Sequence, residues 1–321
     1  MKIVASAPLR LPLGGGGTDL PWYASRRGGF LVAAALRSRV RVTLESLDRR
    51  RQPEANTKWL REALRHLDAP RGLTARVESS VPPGCGLGGS GAVLVALGHA
   101  LARWRGEPST PRQLAEQAYY VEHDRMGSPI GKQDPYVAAY GGVIELRISR
   151  DGSTRVRQLF LTRATLDALE EALLLVDTGG RRSAARTLEE QRRAARRSVR
   201  VLGDMDSIRA IGLRMARHLE RGHLSSIGRE FNEHWKLKRT LSASTSTSSA
   251  ERCLGVALRA GARGGKLIGA GGGGFVLLDC GCARPRVVRA LAAEGFRGRR
   301  VRMESRGSRA RRSRARTDRA A

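Results

Sequence analysis

Long hydrophobic runs are missing from this 321-residue chain. The apolar stretch at residues 28–36 has nine residues, whereas a helix that crosses a bilayer needs about twenty. Near the N-terminus, Pro8, Arg10 and Pro12 interrupt the apolar residues, which is atypical of a secretory signal. We therefore expect a cytoplasmic protein with no membrane partner.

Lysine, aromatic residues and cysteine are also scarce. Aromatic residues make up 4% of the chain, six of the 59 basic residues are lysines, and 30 acidic residues leave a net charge of +29. An arginine excess spread along a chain indicates nucleic-acid binding less strongly than a clustered stripe does, so nucleic acid is not expected as a partner. The four cysteines lack the paired CxxC spacing of zinc sites, which predicts reduced, structural thiols.

The apolar residues that are present, 40% of the chain, are enough for the cores of about two domains. Period-two alternation of polar and apolar residues predicts half-buried strands at residues 39–45 and 143–148. Short continuous apolar runs predict buried strands at residues 173–176 and 275–278.

Helices are predicted between these strands. One should begin after Thr110, where a proline and Gln113 complete a capping pattern. Two arginine-rich helices are expected at about residues 183–202 and 204–221, and the Ser/Thr-rich residues 242–250 are expected to form a mobile loop. Because strands and helices interleave without a strict βαβ repeat, the fold class should be α+β.

We expect an N-terminal domain at residues 1–170, a C-terminal domain at residues 171–304 and a basic tail at residues 305–321. The tail contains seven arginines, one aspartate and no large apolar residue. Such a composition cannot bury enough apolar surface to fold, so the tail is expected to be disordered.

Glycine is concentrated in three segments, and the most informative is residues 81–90, VPPGCGLGGS, which precede a long apolar segment. Glycines allow backbone N–H groups to converge and a helix N-terminus attracts anions, so this segment is suited to hold phosphate. Ser90 is expected to cap the helix. The predicted nucleotide-binding residues are Pro83, Gly84, Cys85, Gly86, Leu87, Gly88, Gly89 and Ser90.

Three other interpretations of this segment fit it less well. An ordinary strand-to-helix turn stays open, since short glycine motifs also occur without a ligand. A dinucleotide-binding turn matches the sequence poorly, because Pro82 and Pro83 interrupt the preceding strand. The acidic residue that such a fold needs about twenty positions later, Glu107, lies in a Gly-Glu-Pro loop rather than at a strand end. A Walker loop fails because no GK[ST] follows the glycines, and Lys266 is followed by leucine.

Three ordered segments resemble the GHMP kinases, the family of galactokinase, homoserine kinase, mevalonate kinase and phosphomevalonate kinase. They are residues 7–23, APLRLPLGGGGTDLPWY, the central loop, and residues 261–278, GARGGKLIGAGGGGFVLL. Together with residues 128–142, SPIGKQDPYVAAYGG, they are most similar to the D-glycero-D-manno-heptose 7-phosphate kinase branch.

The resemblance implies a two-domain α+β fold. The N-terminal domain would be similar to domain 2 of ribosomal protein S5 and the C-terminal domain would be ferredoxin-like. It also implies that ATP and Mg²⁺ are used to phosphorylate a small sugar phosphate, namely D-glycero-D-manno-heptose 7-phosphate at its anomeric position.

Glu122 lies four residues after Ala118 and eight after Leu114, on the apolar face of the helix that begins after Thr110. A carboxylate on such a face is costly unless it is paired or holds a cation. Mg²⁺ prefers one or two protein oxygens plus nucleotide phosphates, and the resemblance implies Ser90 and Glu122 as its ligands. A solvent-facing or arginine-paired glutamate is the structural alternative.

Asp134 and Arg10 are the predicted catalytic residues. Phosphoryl transfer needs a carboxylate within hydrogen-bond reach of the acceptor hydroxyl, and the resemblance implies that Asp134 is this base. It also implies that Arg10 approaches the transferring phosphate, where it would neutralise charge. The residues alone leave a turn aspartate and a surface arginine open as alternatives.

Substrate-binding residues are expected in both outer glycine segments and before Asp134. Asp19 can accept hydrogen bonds from two sugar hydroxyls, and the glycines at residues 269–274 allow close backbone approach. The full predicted set is Gly16, Thr18, Asp19, Lys132, Gly271 and Gly272. Basic candidates for a second anion site are Lys132, Arg181, Arg182, Lys236 and Lys238. The six histidines form no metal-binding spacing and are expected to be structural.

The chain departs from the family pattern at three positions. Gly89 stands where the usual GLGSS loop has its first serine, Gly91 replaces a small side chain, and Pro135 replaces a glutamine. Two alternative functions therefore stay open: a kinase for another sugar acceptor, and a catalytically silent binding protein of the same fold. A homodimer stays open as well.

Overall fold

The computed structural model describes residues 1–46, 54–55, 57–179 and 184–313. The first half contains β1 (Lys2–Gly14), α1 (Pro21–Arg27), β2 (Gly29–Ser46), β3 (Glu54–Ala55), α2 (Lys58–His66), β4 (Leu73–Ser79), α3 (Gly89–Arg105), α4 (Pro111–Tyr119), α5 (Gln133–Tyr140), β5 (Val143–Ile148) and β6 (Thr154–Gln158). The second half contains α6 (Arg163–Ala172), β7 (Leu173–Asp177), α7 (Ala184–Arg197), α8 (Val199–Glu220), α9 (Ile227–Lys238), α10 (Ser248–Arg259), β8 (Gly264–Leu267), β9 (Phe275–Asp279), α11 (Arg284–Ala293), β10 (Arg297–Arg300) and β11 (Arg309–Ser313).

A seven-stranded sheet is built around β2, which pairs antiparallel with β1, β4 and β5. The strand predicted at residues 39–45 is the second half of β2, and the apolar stretch at residues 28–36 supplies most of its buried first half. Helix α3, which is apolar on nearly every side, packs on β1 and β2. This packing fixes the start of α3 beside the end of β1.

A four-stranded antiparallel sheet, in the order β10-β7-β9-β8, forms the second half of the molecule. The buried strands predicted at residues 173–176 and 275–278 are confirmed as β7 and β9, which pair with each other. Helices α9 and α10 pack on this sheet, and α10 also packs against α11. The predicted α+β class is confirmed, while the domain boundary predicted between residues 170 and 171 lies inside α6 and stays a prediction.

The sequence pattern correctly predicted the start of α4, but it placed the start of α8 too late in the chain. Thr110 caps α4, because its hydroxyl accepts from the N–H of Gln113 (3.2 Å) and the Gln113 side chain accepts from the N–H of Thr110 (2.9 Å). The predicted break near residue 203 is wrong, since the two arginine-rich helices are separated at Ser198. Gly203 lies inside α8, where tertiary packing tolerates an isolated glycine.

The mobile loop predicted at residues 242–250 is wrong for its last part. Helix α10 begins at Ser248, and the Thr247 hydroxyl accepts from the N–H of Ala250 (3.2 Å). Serine and threonine are favoured at helix N-caps because they satisfy free backbone donors. A Ser/Thr-rich run can therefore start a helix as readily as it forms a loop.

The prediction of a disordered tail from Ser305 onward is wrong for residues 309–313. These residues form β11, which pairs antiparallel with β1. Strand pairing satisfies backbone groups whatever the side chains are. The guanidinium of Arg39 also donates to the carbonyls of Arg306 (3.2 Å) and Gly307 (2.7 Å). The remaining tail, residues 314–321, lies outside the described residues.

All four cysteines are free thiols, as the sequence predicts. Cys85, Cys253 and Cys280 are buried, and Cys282 is exposed. Within the described ranges, no helix combines the length and the apolar composition that a bilayer crossing requires.

Candidate active site

A cleft of about 1140 Å³ brings the three glycine segments together. The N-terminal segment contributes Arg10, Gly16, Gly17 and Asp19 to its lining. The central loop contributes residues 82–86 and 88–90, and the C-terminal segment contributes residues 266–271 and 273. Glu122 and Asp134 line the same cleft. Most of the predicted site residues therefore share one cavity, although they are far apart in the sequence.

The central loop leads into α3 through glycines with a left-handed backbone. Gly84, Gly86 and Gly88 have φ angles of 74°, 82° and 73°, a region that residues with a Cβ rarely adopt. Gly88 is the N-cap of α3, so the prediction that Ser90 caps this helix is wrong. Ser90 lies in the first turn instead, where its hydroxyl is hydrogen-bonded to Glu122.

The central loop and the C-terminal glycine segment touch backbone to backbone. A Cβ added at Gly86 would lie 3.1 Å from the carbonyl oxygen of Ile268, and one added at Gly269 would lie 2.8 Å from Cα of Gly86. The N–H of Phe275 donates to the carbonyl of Cys85 (3.3 Å). The C-terminal glycines thus allow the close approach that holds the central loop in position.

Arg10, which is buried, forms an ion pair with the half-buried Asp134. Nε of Arg10 donates to Oδ1 of Asp134 over 2.7 Å, and Nη1 of Arg10 donates to the carbonyl of Gly86. Asp134 lies in the first turn of α5, where the helix dipole favours a carboxylate. A Cβ at Gly88 would lie 2.8 Å from Cγ of Arg10 and 3.0 Å from Cγ of Asp134. The predicted catalytic pair is therefore packed directly against the loop.

Two departures from the family pattern, Gly91 and Pro135, are in contact with each other. A Cβ at Gly91 would lie 2.9 Å from Cβ of Asp134 and 3.0 Å from the backbone nitrogen of Pro135. Glycine at this position lets α3 approach α5 directly behind Asp134.

Glu122 is buried opposite Ser90. Helix α4 ends at Tyr119, and the π-helical turn Tyr120–Arg125 that follows it carries Glu122. Burial raises the pKa of Glu122 to about 7; the hydrogen bond from Ser90 opposes this rise, and the carboxylate of Asp134 adds to it. In the part of the chain that the structure describes, no arginine or lysine pairs with Glu122. Neither structural alternative, a solvent-facing or an arginine-paired glutamate, is observed.

Asp19 is buried at the other side of Asp134. Its Oδ2 accepts from the N–H of Gln133 (2.9 Å), and its Oδ1 accepts from the N–H of Gly17 (3.3 Å). Burial raises the pKa of Asp19, and the hydrogen bond from Gln133 opposes this rise. A Cβ at Gly131 would lie 2.2 Å from Oδ2 of Asp19, so glycine is required there. The remaining acceptor capacity of Asp19 faces the cleft.

Some predicted site residues do not reach the cleft. The hydroxyl of Thr18 is buried, lies 2.8 Å from the carbonyls of both Gly15 and Phe30, which share its one proton, and accepts from the N–H of Phe30 (3.1 Å), so it holds the loop rather than a ligand. The ammonium of Lys132 donates to Glu116 (2.9 Å) and to the carbonyl of Gly152 (3.0 Å).

The side chain of Leu87 packs in the hydrophobic core. The N–H of Gly272 donates to the carbonyl of Thr245 (2.9 Å), whereas Gly271 and Gly16 do line the cleft. Lys236 is exposed on α9, and the candidates Arg181 and Arg182 lie outside the described residues.

Sequence reasoning missed several polar residues that line the cleft, among them Gln133, His234 and Lys266. It ranked Lys238 as one weak candidate among several, and it treated His234 as structural. The signal that could have placed His234 and Lys238 in the cleft is the spacing of residues on α9. Phe231, His234, Trp235 and Lys238 recur at helical spacing and are all buried, which puts the histidine and the lysine on the face that packs inward.

Comparison with known proteins agrees with this geometry. Residues 56–142 match the GHMP kinase N-terminal domain model and residues 215–295 match the C-terminal domain model, which together cover just over half of the chain. The chain is 27% identical over 302 residues to the D-glycero-alpha-D-manno-heptose 7-phosphate kinase of Campylobacter jejuni, covering 86% of this chain and 89% of that protein. It is 35% identical over 213 residues to the mevalonate kinase of Methanothermobacter thermautotrophicus, covering 65% of each chain.

Among solved structures, a D-glycero-D-manno-heptose 1-phosphate kinase from Bacteroides thetaiotaomicron has the same fold. It superimposes with a TM-score of 0.77 at 22% identity, over 98% of this chain and all of the other. Family models and curated relatives alike are kinases that transfer a phosphoryl group to a sugar or another alcohol. The chain therefore belongs to the GHMP kinase family and is an ATP-dependent phosphotransferase.

Proposed function

We propose that this kinase phosphorylates a sugar phosphate, D-glycero-D-manno-heptose 7-phosphate, at its anomeric hydroxyl. The observation that supports this proposal most is the Arg10–Asp134 pair. It lies against the central loop, now called the phosphate loop, on one side and near buried Asp19 on the other. A nucleotide phosphate and a sugar hydroxyl could meet at this pair.

The nucleotide would lie along the wall that leads to the phosphate loop. Val40, Trp59, Leu60 and Val77 line the apolar end of the cleft, which suits a base. From there residues 82–90 lead to the start of α3. Backbone N–H groups at this helix N-terminus would hold the phosphates of ATP.

Asp134 would accept the proton of the acceptor hydroxyl as that oxygen bonds to the γ-phosphorus, while the bond from this phosphorus to the β–γ bridging oxygen breaks and ADP leaves. Arg10 fixes the carboxylate through its Nε hydrogen bond (2.7 Å), and its positive charge would stabilise the charge that develops on the transferring phosphoryl group. Asp19 would accept hydrogen bonds from neighbouring sugar hydroxyls and so orient the acceptor.

Ser90 and Glu122 would hold Mg²⁺. A hydroxyl and a buried carboxylate without a basic partner are hard oxygen donors of the kind that this cation prefers. Among the residues described, no cluster of three or more His, Cys, Asp or Glu side chains could hold a metal without further ligands, which fits a cation that also needs nucleotide phosphates. When bound, Mg²⁺ would neutralise charge on those phosphates.

The heptose phosphate assignment is supported by the similarity to the Campylobacter jejuni kinase over most of both chains. A mevalonate acceptor is the second candidate, because a shorter match to a mevalonate kinase reaches 35% identity. A catalytically silent protein is less well supported, since Arg10, Asp19, Ser90, Glu122 and Asp134 all lie around one cleft. We place the reaction in the cytoplasm, in line with ATP as donor and with the free cysteine thiols.

A panel of acceptors tests the proposal. ADP formation would be measured with Mg-ATP and heptose 7-phosphate, the unphosphorylated heptose, galactose and mevalonate, each over a range of concentrations. We expect the highest kcat/KM for heptose 7-phosphate. A higher kcat/KM for mevalonate would overturn the sugar assignment, and absence of turnover with every acceptor would favour the silent relative.

A further inference from the structure

One wall of the cleft contains basic side chains that the proposed mechanism does not use. On α9, His234 and Lys238 lie one turn apart on the buried face, and Lys266 reaches them from β8. All three line the cleft, and their exposed fractions are 2%, 8% and 2%. Buried basic groups of this kind need a reason, because desolvating a charge is costly.

Lys266 has no carboxylate partner among the described residues. Its ammonium donates to the carbonyl of Leu13 (2.7 Å), lies 3.3 Å from Nδ1 of His234, and sits 4.7 Å from the ring centroid of Phe231. Burial lowers the pKa of Lys266, and the positive charges of Lys238 and Arg10 lower it further. An anion bound beside this ammonium would relieve an otherwise uncompensated charge.

His234 is neutral and presents a donor to the cleft. Burial lowers its pKa well below the ordinary value, Lys266 and Lys238 lower it further, and the backbone of Gly16 opposes them. A charged ammonium can only donate, so we assign Nδ1 of His234 as the acceptor from Lys266 and place the ring proton on Nε2. Nε2 is buried and has no partner at full hydrogen-bond geometry within the described part of the chain, although the backbone of Gly16 lies close to the ring.

Gln133 provides a second unpaired donor at the same place. Its Nε2 is buried and has no partner among the described residues. A Cβ added at Gly16 would lie 3.8 Å from Nε2 of Gln133 and 4.0 Å from Cε1 of His234, so both side chains flank Gly16. Buried donors without partners are rare in native proteins, and they indicate a missing acceptor group.

We propose that Lys266, His234 and Gln133 form a subsite for the phosphate group of the acceptor, an inference that rests on the proposed function. Phosphate oxygens accept hydrogen bonds without donating any, so they match two unpaired N–H donors and one ammonium. A neutral hydroxyl would not offset the burial that lowers the pKa of Lys266, whereas a phosphate would favour its charged form. Among the basic side chains proposed from sequence for this anion site, Lys236 is exposed and Lys132 is bound to Glu116.

Position separates this subsite from the nucleotide phosphates. Its residues surround Gly16 and Leu13 of the N-terminal segment, next to Asp19, which accepts from the N–H of Gln133. Lys238 lies nearer the phosphate loop, because it donates to the carbonyl of Gly269 and Gly269 packs against Gly86. We therefore expect Lys238 to act on ATP and Lys266 to act on the acceptor.

The test compares Lys266→Met with Lys238→Met, and uses Lys236→Met on the exposed face of α9 as the matched control. Kinetics are measured with heptose 7-phosphate and with the unphosphorylated heptose. Lys266→Met should raise KM for the phosphorylated acceptor at least tenfold while KM values for ATP and for the unphosphorylated sugar stay within twofold. Lys236→Met should change none of them. A rise in KM for ATP, or an undiminished preference for the phosphorylated sugar, would overturn the proposal.

A second variant tests the subsite in case Lys266→Met does not fold. A binding measurement tests it in case the protein is not an active kinase. Gln133→Leu removes an unpaired donor, so it should fold and still raise KM for the phosphorylated acceptor several-fold. Independently of turnover, calorimetry follows inorganic phosphate binding with the nucleotide site filled by a non-hydrolysable ATP analogue. Binding that is kept in Lys236→Met and lost in Lys266→Met supports the subsite. Equal binding in both variants, or no binding to the wild type, contradicts it whether or not the protein is an active kinase.

Discussion

The two walls of the cleft are built in different ways. The phosphate-loop wall, residues 82–90, presents backbone made possible by glycines with positive φ, whereas a second wall presents buried side chains from α9 and β8. A backbone site depends on a short run of specific residues and suits a ligand common to many enzymes. A side-chain site depends on residues that are distant in sequence, and it can differ from one relative to the next. We expect nucleotide binding to reside in the first wall, assisted by Lys238 at the end of α9, and acceptor choice to reside in His234 and Lys266 of the second wall.

Asp134→Asn should have the largest effect, because Asp134 belongs to neither wall and is the proposed base between them. The amide keeps the shape but cannot take the proton, so kcat should fall by about a hundredfold to ten-thousandfold. ATP affinity, measured by calorimetry, should stay within a few-fold. A variant that keeps most of the wild-type rate would remove Asp134 from the mechanism.

Glu122→Gln tests how much of Mg²⁺ binding depends on a side chain and how much nucleotide binding the loop backbone provides by itself. If Glu122 holds Mg²⁺ as proposed, the metal would compete with a proton for this carboxylate, whose pKa is about 7, so the wild type should lose apparent Mg²⁺ affinity by about tenfold per pH unit below this value. The variant should need more Mg²⁺ at pH 8 and lose that dependence on pH. A magnesium titration at several pH values measures both, and identical titrations for the two proteins would make Glu122 a structural residue.

The same substitution has a predicted effect on stability without metal. The folded pKa of Glu122 lies above the ordinary 4.5, so the native state holds this proton more tightly than the unfolded state does. The stabilisation is fully present below about pH 4.5 and is lost as the pH rises through about 7. Above pH 7 and without Mg²⁺, Glu122→Gln should be more stable than the wild type by up to about 3 kcal/mol, as measured by urea unfolding.

Gly88→Ala tests whether the loop wall depends on its backbone conformation. Gly88 has a φ of 73° and no room for a Cβ beside Arg10 and Asp134. A left-handed alanine costs about 1–2 kcal/mol before any contact is strained, so kcat/KM should fall at least tenfold. Gly89→Ala is the matched control, because nothing lies within 4 Å of a Cβ there. Equal losses in both variants would contradict the assignment.

Gly91→Ala tests the contact between α3 and α5 behind Asp134. Its Cβ would lie 2.9 Å from Cβ of Asp134, and overpacking of this kind costs about 1–3 kcal/mol. Gly203→Ala in α8 is the control, since its Cβ meets nothing within 4 Å, and it should stabilise by about 0.5–1 kcal/mol. Urea unfolding measures the free energy of unfolding of both variants. A Gly91→Ala protein as stable as the control would show that the two helices can separate freely.

Gly89→Ser should have the smallest effect. It restores the serine of the usual family loop in open space, so it can add one hydrogen bond to the nucleotide, about 0.5–1.5 kcal/mol. ATP affinity should improve by less than about tenfold, with little change in kcat. If the wild type had no activity with any sugar and Gly89→Ser restored it, the protein would be a degenerate family member.

The sequence was informative where function depends on local backbone. The phosphate loop could be proposed from its glycines and Glu122 from helix periodicity, whereas Arg10 and Asp134 were proposed from the resemblance to the GHMP kinases, since the residues alone left a surface arginine and a turn aspartate open. Ser90 was placed in the correct loop but given the wrong structural role, because Gly88, in a left-handed conformation, caps α3 and the helix begins two residues earlier than it would with a serine cap.

The side-chain wall and the C-terminal strand could not be predicted in the same way. Lys266 meets His234 only because β8 packs beside α9, a relation that no local pattern contains. β11 looked disordered because its side chains are polar, yet its backbone completes the edge of β1. Both features depend on contacts between elements that are distant in the sequence, and composition alone does not predict such contacts.

The most direct test of the account is the identity of the reaction product. Purified wild-type protein would be incubated with Mg-ATP and D-glycero-D-manno-heptose 7-phosphate, and the phosphorus NMR spectrum recorded with proton coupling. We predict a new phosphate ester coupled to the anomeric proton, formed in equal amount to ADP. ADP without a new ester, an ester at another carbon, or no ADP at all would contradict the proposed function.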